Sequence, residues 1–231
     1  MAATSPAFRN ALFAISGVMM LVILYLIFLW VPTERNLGVS QRIFYFHVPL
    51  AWTMFLAFFF VLVGSVGYLW RRTPGWDQLA YAAAEIGVLF TTLMLISGML
   101  FAKPFWGVWW TWDPKLTTSL ILWLIYVAYL MLRAYSPRGE QGARYAAVLG
   151  IIGFIDVPIV YMATRWWRTT HPQPILGIGG SGEMDSSMLM VLMISTVTFT
   201  VLFLYLLLER FALRRSEEDV EEARGLAESL R

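Results

Sequence analysis

Long apolar runs alternate with short polar breaks along the chain, and the runs fall in one length class. They cover about Ala11–Val31, Val48–Trp70, Leu79–Phe101, Leu116–Leu132, Arg144–Ala163 and Ser187–Leu208. Each is close to the roughly 20 residues a helix needs to cross the hydrocarbon core of a bilayer. They are too long and unbroken for barrel strands. In lipid every backbone N–H and C=O must be satisfied within the chain, which leaves helices. The pattern therefore predicts an all-α polytopic membrane protein with six transmembrane helices.

The breaks Arg71–Gln78 and Arg133–Ala143 are short and rich in Pro, Gly and charge, so the helices they join should be antiparallel neighbours. The other breaks are longer and hold the unusual residues. One bundle domain is expected over residues 1–209, followed by a charged helical tail over 210–231. In that tail Val220, Ala223, Ala227 and Leu230 recur at helical spacing and leave a thin apolar stripe. A solvated extension of the sixth helix and a docking element for a cytoplasmic partner both fit it. The first run is expected to remain in the protein. It exceeds a usual signal core, and Val31-Pro-Thr-Glu offers no small-residue cleavage site.

Composition agrees with a membrane protein: 59% of the 231 residues are hydrophobic and 14% charged, too apolar for a soluble domain of this size. Nothing in it points to nucleic acid. Cysteine is absent, which excludes disulfides, thiolate ligands and thioether attachment of a cofactor to this chain. With six spans, Arg9, Arg71, Arg72, Arg133, Arg138, Arg144, Arg210, Arg214, Arg215, Arg224 and Arg231 share one side. Arg35, Arg42, Lys103, Lys115, Arg165 and Arg168 occupy the other. The excess places both termini in the cytoplasm, and the loops carrying His47, the tryptophans and His171 outside.

Trp106-Gly-Val-Trp-Trp-Thr-Trp-Asp113 packs four tryptophans and a carboxylate into eight residues between two runs. If this segment is helical, Trp106, Trp109 and Trp110 share a face, with Asp113 one turn beyond. Interfacial aromatic belts are expected on both sides of a membrane. Here Trp106, Trp109, Trp110, Trp112, Trp166 and Trp167 lie in outer loops and Trp30 and Trp52 at outer helix ends, against Trp70 and Trp76 on the inner side. That asymmetry calls for a flat, large, apolar ligand. The two histidines, His47 and His171, both fall on the tryptophan side. His47 in Phe44-Tyr-Phe-His-Val-Pro49 is expected at a corner just before the second helix, with Pro49 in its first turn. Imidazole binds haem iron well, and a pair from separate loops suits opposite faces of the ring. Arg42, Lys103, Lys115, Arg165 and Arg168 are candidate partners for propionates.

Glu85 and Asp156 lie inside predicted spans, where acids are costly and face the bundle interior. Asp156 sits two residues before Pro158 and is a candidate to satisfy backbone groups freed by that proline. Gly177-Ile-Gly-Gly-Ser-Gly182 fits a dinucleotide-binding spacing, but no βαβ unit surrounds it, so a plain loop accounts for it. No P-loop or metalloprotease motif is present.

The tryptophan segment resembles the "WWD" signature of the haem-handling proteins of cytochrome c maturation, here within residues 104–115. Arg42-Ile-Phe-Tyr-Phe-His-Val-Pro49 and Pro158-Ile-Val-Tyr-Met-Ala-Thr-Arg-Trp-Trp-Arg-Thr-Thr-His171 narrow the resemblance to the cytochrome c maturation protein C family, over nearly the whole chain. One departure is Asp113-Pro-Lys-Leu116, closer to the related cytochrome c synthase branch, whose additional histidines and spans this chain lacks. The resemblance implies haem b bound transiently and non-covalently on the outer face of the bacterial inner membrane. His47 and His171 would be axial ligands, and Trp106, Gly107, Trp109, Trp110, Trp112 and Asp113 the platform, joined by Trp166 and Trp167. It implies delivery to a membrane-anchored periplasmic haem chaperone (maturation protein E), alongside an ABC transporter pair (maturation proteins A and B) and a small membrane subunit (maturation protein D). The chain then reads as a holder and presenter of haem rather than an enzyme with acid–base machinery. Two other readings are a proton- or ion-coupled permease using Glu85 and Asp156, and a scaffold subunit of an ABC-type transporter complex.

Overall fold

The computed structural model describes residues 5–136, 139–172 and 184–229, and the glycine-rich stretch 177–182 lies outside them. Among the described residues the chain forms seven α-helices: α1 (Pro6–Tyr25), α2 (Gln41–Arg71), α3 (Pro74–Trp106), α4 (Pro114–Tyr135), α5 (Glu140–Phe154), α6 (Asp156–Trp166) and α7 (Ser186–Ser229). They make six helices long and apolar enough to cross a membrane, with α5 and α6 sharing the fifth. By connectivity, the α2–α3 and α4–α5 turns lie at one end of the bundle. The α3–α4 tryptophan segment and the α6–α7 connection lie at the other.

Prolines mark several helix starts. Pro6, Pro74 and Pro114 occupy the first turns of α1, α3 and α4, where a missing N–H costs nothing. Pro49 does not. α2 begins at Gln41, so Pro49 and His47 lie inside the helix and the expected corner before it is absent. The polar residues Gln41 and Arg42 start the helix below the apolar run, because Gln41 is buried and its amide donates to the Tyr45 hydroxyl at 2.6 Å. α1 ends in a π-turn over Leu26–Trp30, and Arg42 donates to the Phe28 carbonyl in that turn at 2.7 Å.

α2 and α3 form the central antiparallel pair, with α5 and α7 packed on α2, α4 on α3 and α6, and α1 along α7. Small residues permit the close approach. A Cβ on Gly64 would lie 2.8 Å from both the Ala80 nitrogen and the Trp76 carbonyl oxygen, so backbone meets backbone there. Phe58 stacks on Tyr126 at 3.7 Å, and Tyr45, Tyr129 and Phe203 complete a fully buried aromatic core. Trp52, expected at a helix end, is well inside α2 and donates its indole N–H to Thr200 of α7 at 3.0 Å.

Ion pairs hold the end away from the tryptophans. Arg133 grips both oxygens of Asp77 at 3.0 and 2.8 Å, and Arg210 grips both oxygens of Glu85 at 2.5 and 2.9 Å. Arg9 pairs with Glu209 at 2.9 Å, tying α1 to α7. Tyr81 lies beneath the guanidiniums of Arg133, Arg210 and Arg214. Arg210, the first residue of the expected tail, is thus part of the bundle, and α7 continues unbroken past it to Ser229.

Two expectations follow. Gly64→Ala lowers the melting temperature of the detergent-solubilised protein, by overpacking worth about 1–3 kcal/mol. Gly17→Ala does not, since a Cβ there meets nothing within 4 Å. Glu85→Gln destabilises by about 1–2 kcal/mol because the Arg210 guanidinium loses its bidentate partner and keeps only Glu217, and Glu85→Gln with Arg210→Gln recovers part of that loss in the same melt.

Candidate functional site

The tryptophan segment is not helical. α3 ends at Trp106, and Gly107 takes a left-handed conformation (φ +76°) that a side chain would strain. Its N–H donates to the Lys103 carbonyl at 3.0 Å, and Lys103 Nζ donates back to the Gly107 carbonyl at 2.9 Å while lying over the Trp109 ring. The chain then runs without regular structure to Asp113, the N-cap of α4. The shared helical face for Trp106, Trp109 and Trp110 is therefore replaced by an irregular ledge. Trp110 and Trp112 meet edge to face at 5.9 Å, as do Trp166 and Trp167 at the end of α6. Trp109, Trp112, Trp166 and Trp167 are exposed, and Trp106 and Trp110 half-buried.

Asp113 is buried and joins this ledge to the His171 stretch. Its Oδ1 accepts from the Thr169 hydroxyl at 2.6 Å and from the Lys115 N–H at 3.0 Å. Its Oδ2 accepts from the Thr170 N–H at 2.8 Å and the Thr170 hydroxyl at 3.4 Å. Burial alone would raise the Asp113 pKa. The bonds from Thr169, Thr170 and Lys115 outweigh it, with help from His171, and hold the carboxyl below its usual range.

The two imidazoles share one arrangement. Ser97 Oγ donates to the Met94 carbonyl at 3.0 Å, so at 3.0 Å from His47 Nδ1 it accepts that ring's proton. His171 Nδ1 lies 2.9 Å from the Pro172 carbonyl, which can only accept. Both rings thus carry the proton on Nδ1 and present a bare Nε2, the form in which imidazole ligates a metal. Gly98 lets the His47 ring lie against α3, since a Cβ there would sit 3.0 Å from Cε1. His47 and His171 are within electrostatic reach of each other and of Lys115. Burial lowers the His171 pKa most. Lys115 lowers it further, against the Pro172 carbonyl and Asp113, and the net shift keeps the ring neutral.

Of the five candidate cations, three are engaged by backbone. Arg42 serves the π-turn, Lys103 the Gly107 carbonyl, and Lys115 the Val160 carbonyl at 2.7 Å. Arg165 has a buried Nη2 without a hydrogen-bond partner among the described residues, and Arg168 is exposed. Glu85 is taken up by Arg210 at the other end. Asp156 opens α6 just after the break at Ile155, and its buried Oδ2 has no hydrogen-bond partner among the described residues. Ser97, Gly98, Thr169 and Thr170 escaped the sequence reading. The only signal for the first two was a Ser-Gly pair inside an apolar run.

Over residues 1–224 the sequence matches the family described as Heme exporter protein C. The chain belongs to that family. Haem transport for cytochrome c biogenesis is the family's role. The Heme exporter protein C of Bradyrhizobium diazoefficiens is 38% identical over 176 residues, which cover 76% of this chain and 66% of that protein, just under two thirds of it. That of Haemophilus influenzae is 32% identical over 204 residues, 87% of this chain and 82% of that one. A ccmC-like mitochondrial protein of cytochrome c biosynthesis from Marchantia polymorpha is 32% identical over 182 residues, covering 78% and 77%. For a chain of this family, an aromatic ledge beside two bare Nε2 atoms suits haem by the chemistry of its donors.

The depressed Asp113 pKa has a consequence. Its contribution is fully present above the unfolded carboxylate value of ~3.9 and is lost only as pH falls through the lower folded value. Protection of the Thr170 amide, read by hydrogen exchange corrected for intrinsic rate, should therefore be constant from about pH 7 to pH 5. A steady loss across that range contradicts the assignment.

Proposed function

We propose that this protein holds haem as cargo at the tryptophan-bearing end of the bundle and presents it to a membrane-anchored haem chaperone outside the cytoplasm. The observation that carries the reading is the matched state of the two imidazoles. Each has its Nδ1 proton committed to an acceptor and its Nε2 lone pair available, and His171 is within electrostatic reach of His47. His47 and His171 would take the iron axially. Trp106, Gly107, Trp109, Trp110, Trp112 and Asp113 would form the ledge along one edge of the macrocycle, with Trp166 and Trp167 beside it. Arg165 and Arg168, which show no backbone bond among the described residues, are the cations best placed to meet propionates.

The chain's own part is to bind, orient and release. Neutral rings keep the site receptive near pH 7, and the exposed tryptophans leave a face from which a chaperone can take the haem. Family membership supports work beside an ABC-type exporter, with maturation proteins A, B and D as partners and maturation protein E as recipient. The arginine excess at the ion-paired end supports cytoplasmic termini and an outward site in the bacterial inner membrane. The permease alternative draws no support from Glu85, whose carboxylate is engaged as a tie between α3 and α7.

The test is the visible absorption spectrum, oxidised and reduced, of detergent-purified wild type beside His47→Ala and His171→Ala. A bis-imidazole haem spectrum in wild type, altered in both variants, is expected. A wild-type protein that neither carries nor takes up haem removes the site and favours a scaffold.

A further inference from the structure

The two histidines are held by unequal means. His47 lies in the second turn of α2, and its ring is bonded to Ser97 of α3. Its position is therefore set by the central helix pair, and Gly98 seats the ring directly on α3. His171 lies beyond the end of α6, outside any helix. Its ring bond goes to the carbonyl of the adjoining Pro172, so that bond travels with the segment and anchors it to nothing. The anchor is elsewhere. The His171 N–H donates to Thr169 Oγ1 at 3.0 Å, and the Thr169 hydroxyl donates to Asp113 Oδ1 at 2.6 Å. The neighbouring Thr170 N–H donates to Asp113 Oδ2 at 2.8 Å. Asp113 itself is fixed as the N-cap of α4, with Pro114 and Lys115 behind it.

Resting on the haem-holding reading above, we propose that Asp113 is the positioning residue for His171, and that His171 is therefore the conditional ligand and His47 the permanent one. The carboxylate is occupied by Lys115, Thr169 and Thr170. It clamps the Thr169–Thr170 stretch to the tryptophan ledge, so that ledge and ligand are set together. Opening this one clamp withdraws His171 while His47 stays on its helix. Release of the cargo then begins with the His171 bond. The iron–imidazole bond breaks with its electron pair returning to Nε2, and nothing is oxidised or reduced. A carboxylate suits the task because it accepts several bonds at once and donates none.

The experiment uses the full-length protein in detergent with Asp113→Asn, Thr169→Val and the conservative Asp113→Glu, beside His171→Ala and His47→Ala. Without haem, hydrogen exchange at the Thr170 amide should rise about tenfold in Asp113→Asn, the loss of a charge-assisted bond, while amides around His47 stay unchanged. With added haem, Asp113→Asn should show the spectrum of His171→Ala, one imidazole lost, and free imidazole should restore the two-imidazole spectrum. Thr169→Val, which removes both bonds of the Thr169 hydroxyl and leaves the N-cap and the Thr170 bond, should show the same change in part, and Asp113→Glu should recover part of the wild-type spectrum. Unchanged exchange in a folded Asp113→Asn protein overturns the clamp. An Asp113→Asn spectrum matching His47→Ala instead overturns the assignment of the conditional ligand. Should Asp113→Asn fail to fold, Thr169→Val decides by both readouts. Should wild type take up no haem, the haem-holding reading fails and, with it, the assignment of ligands. The exchange measurement still decides whether Asp113 holds the His171 stretch.

Discussion

Three stretches of chain meet at the carboxylate of Asp113: the end of the tryptophan ledge, the first turn of α4, and the segment between α6 and His171. In a membrane protein the backbone can leave helical geometry only where something else satisfies it, so apart from the break at Ile155 the irregular structure lies toward the ends of the spans. A site made of irregular segments needs a joint that does not depend on a helix. Asp113 is that joint. It caps α4 with one oxygen and receives the Thr169–Thr170 stretch with both. The position of His171, and of the ledge beside it, follows from this set of bonds.

The opposite end is built by different physics. There Asp77–Arg133, Glu85–Arg210 and Arg9–Glu209 cross between helices, and Tyr81 lies beneath three guanidiniums. Breaking such a pair strands a charge, which makes the end stiff against separation of its helices. Between the two ends, glycine and alanine bring α2 and α3 to backbone contact around a stacked aromatic core. The frame is thus tied by charge at one end and by the bonds of Asp113 at the other.

His47 and His171 show how the frame sets chemistry. Among the described residues neither ring nitrogen bonds a carboxylate. Each is held by a neutral acceptor, a serine hydroxyl or a peptide carbonyl, which keeps the proton on Nδ1 and leaves Nε2 bare. A negatively charged partner would have favoured a protonated ring in a buried setting. The tryptophan-bearing end of the protein thus carries two rings whose Nε2 has no proton to lose.

Hydropathy was enough to read six spans and the helical class, because transfer to lipid is a local, additive property of a run of residues. The same reasoning misplaced the start of α2, because Gln41 and Arg42 find partners that apolarity alone does not reveal. It allowed a helix through Trp106–Asp113, which Gly107 and the N-cap at Asp113 together forbid. It offered no route to Ser97 as the partner of His47, 50 residues away, or to Thr169 as the partner of Asp113, 56 residues away. Those pairings depend on how each helix is rotated and how far it slides against its neighbours, and side-chain packing sets both. What a residue is worth to the bilayer is written in its own segment; whom it bonds is decided only when the segments meet.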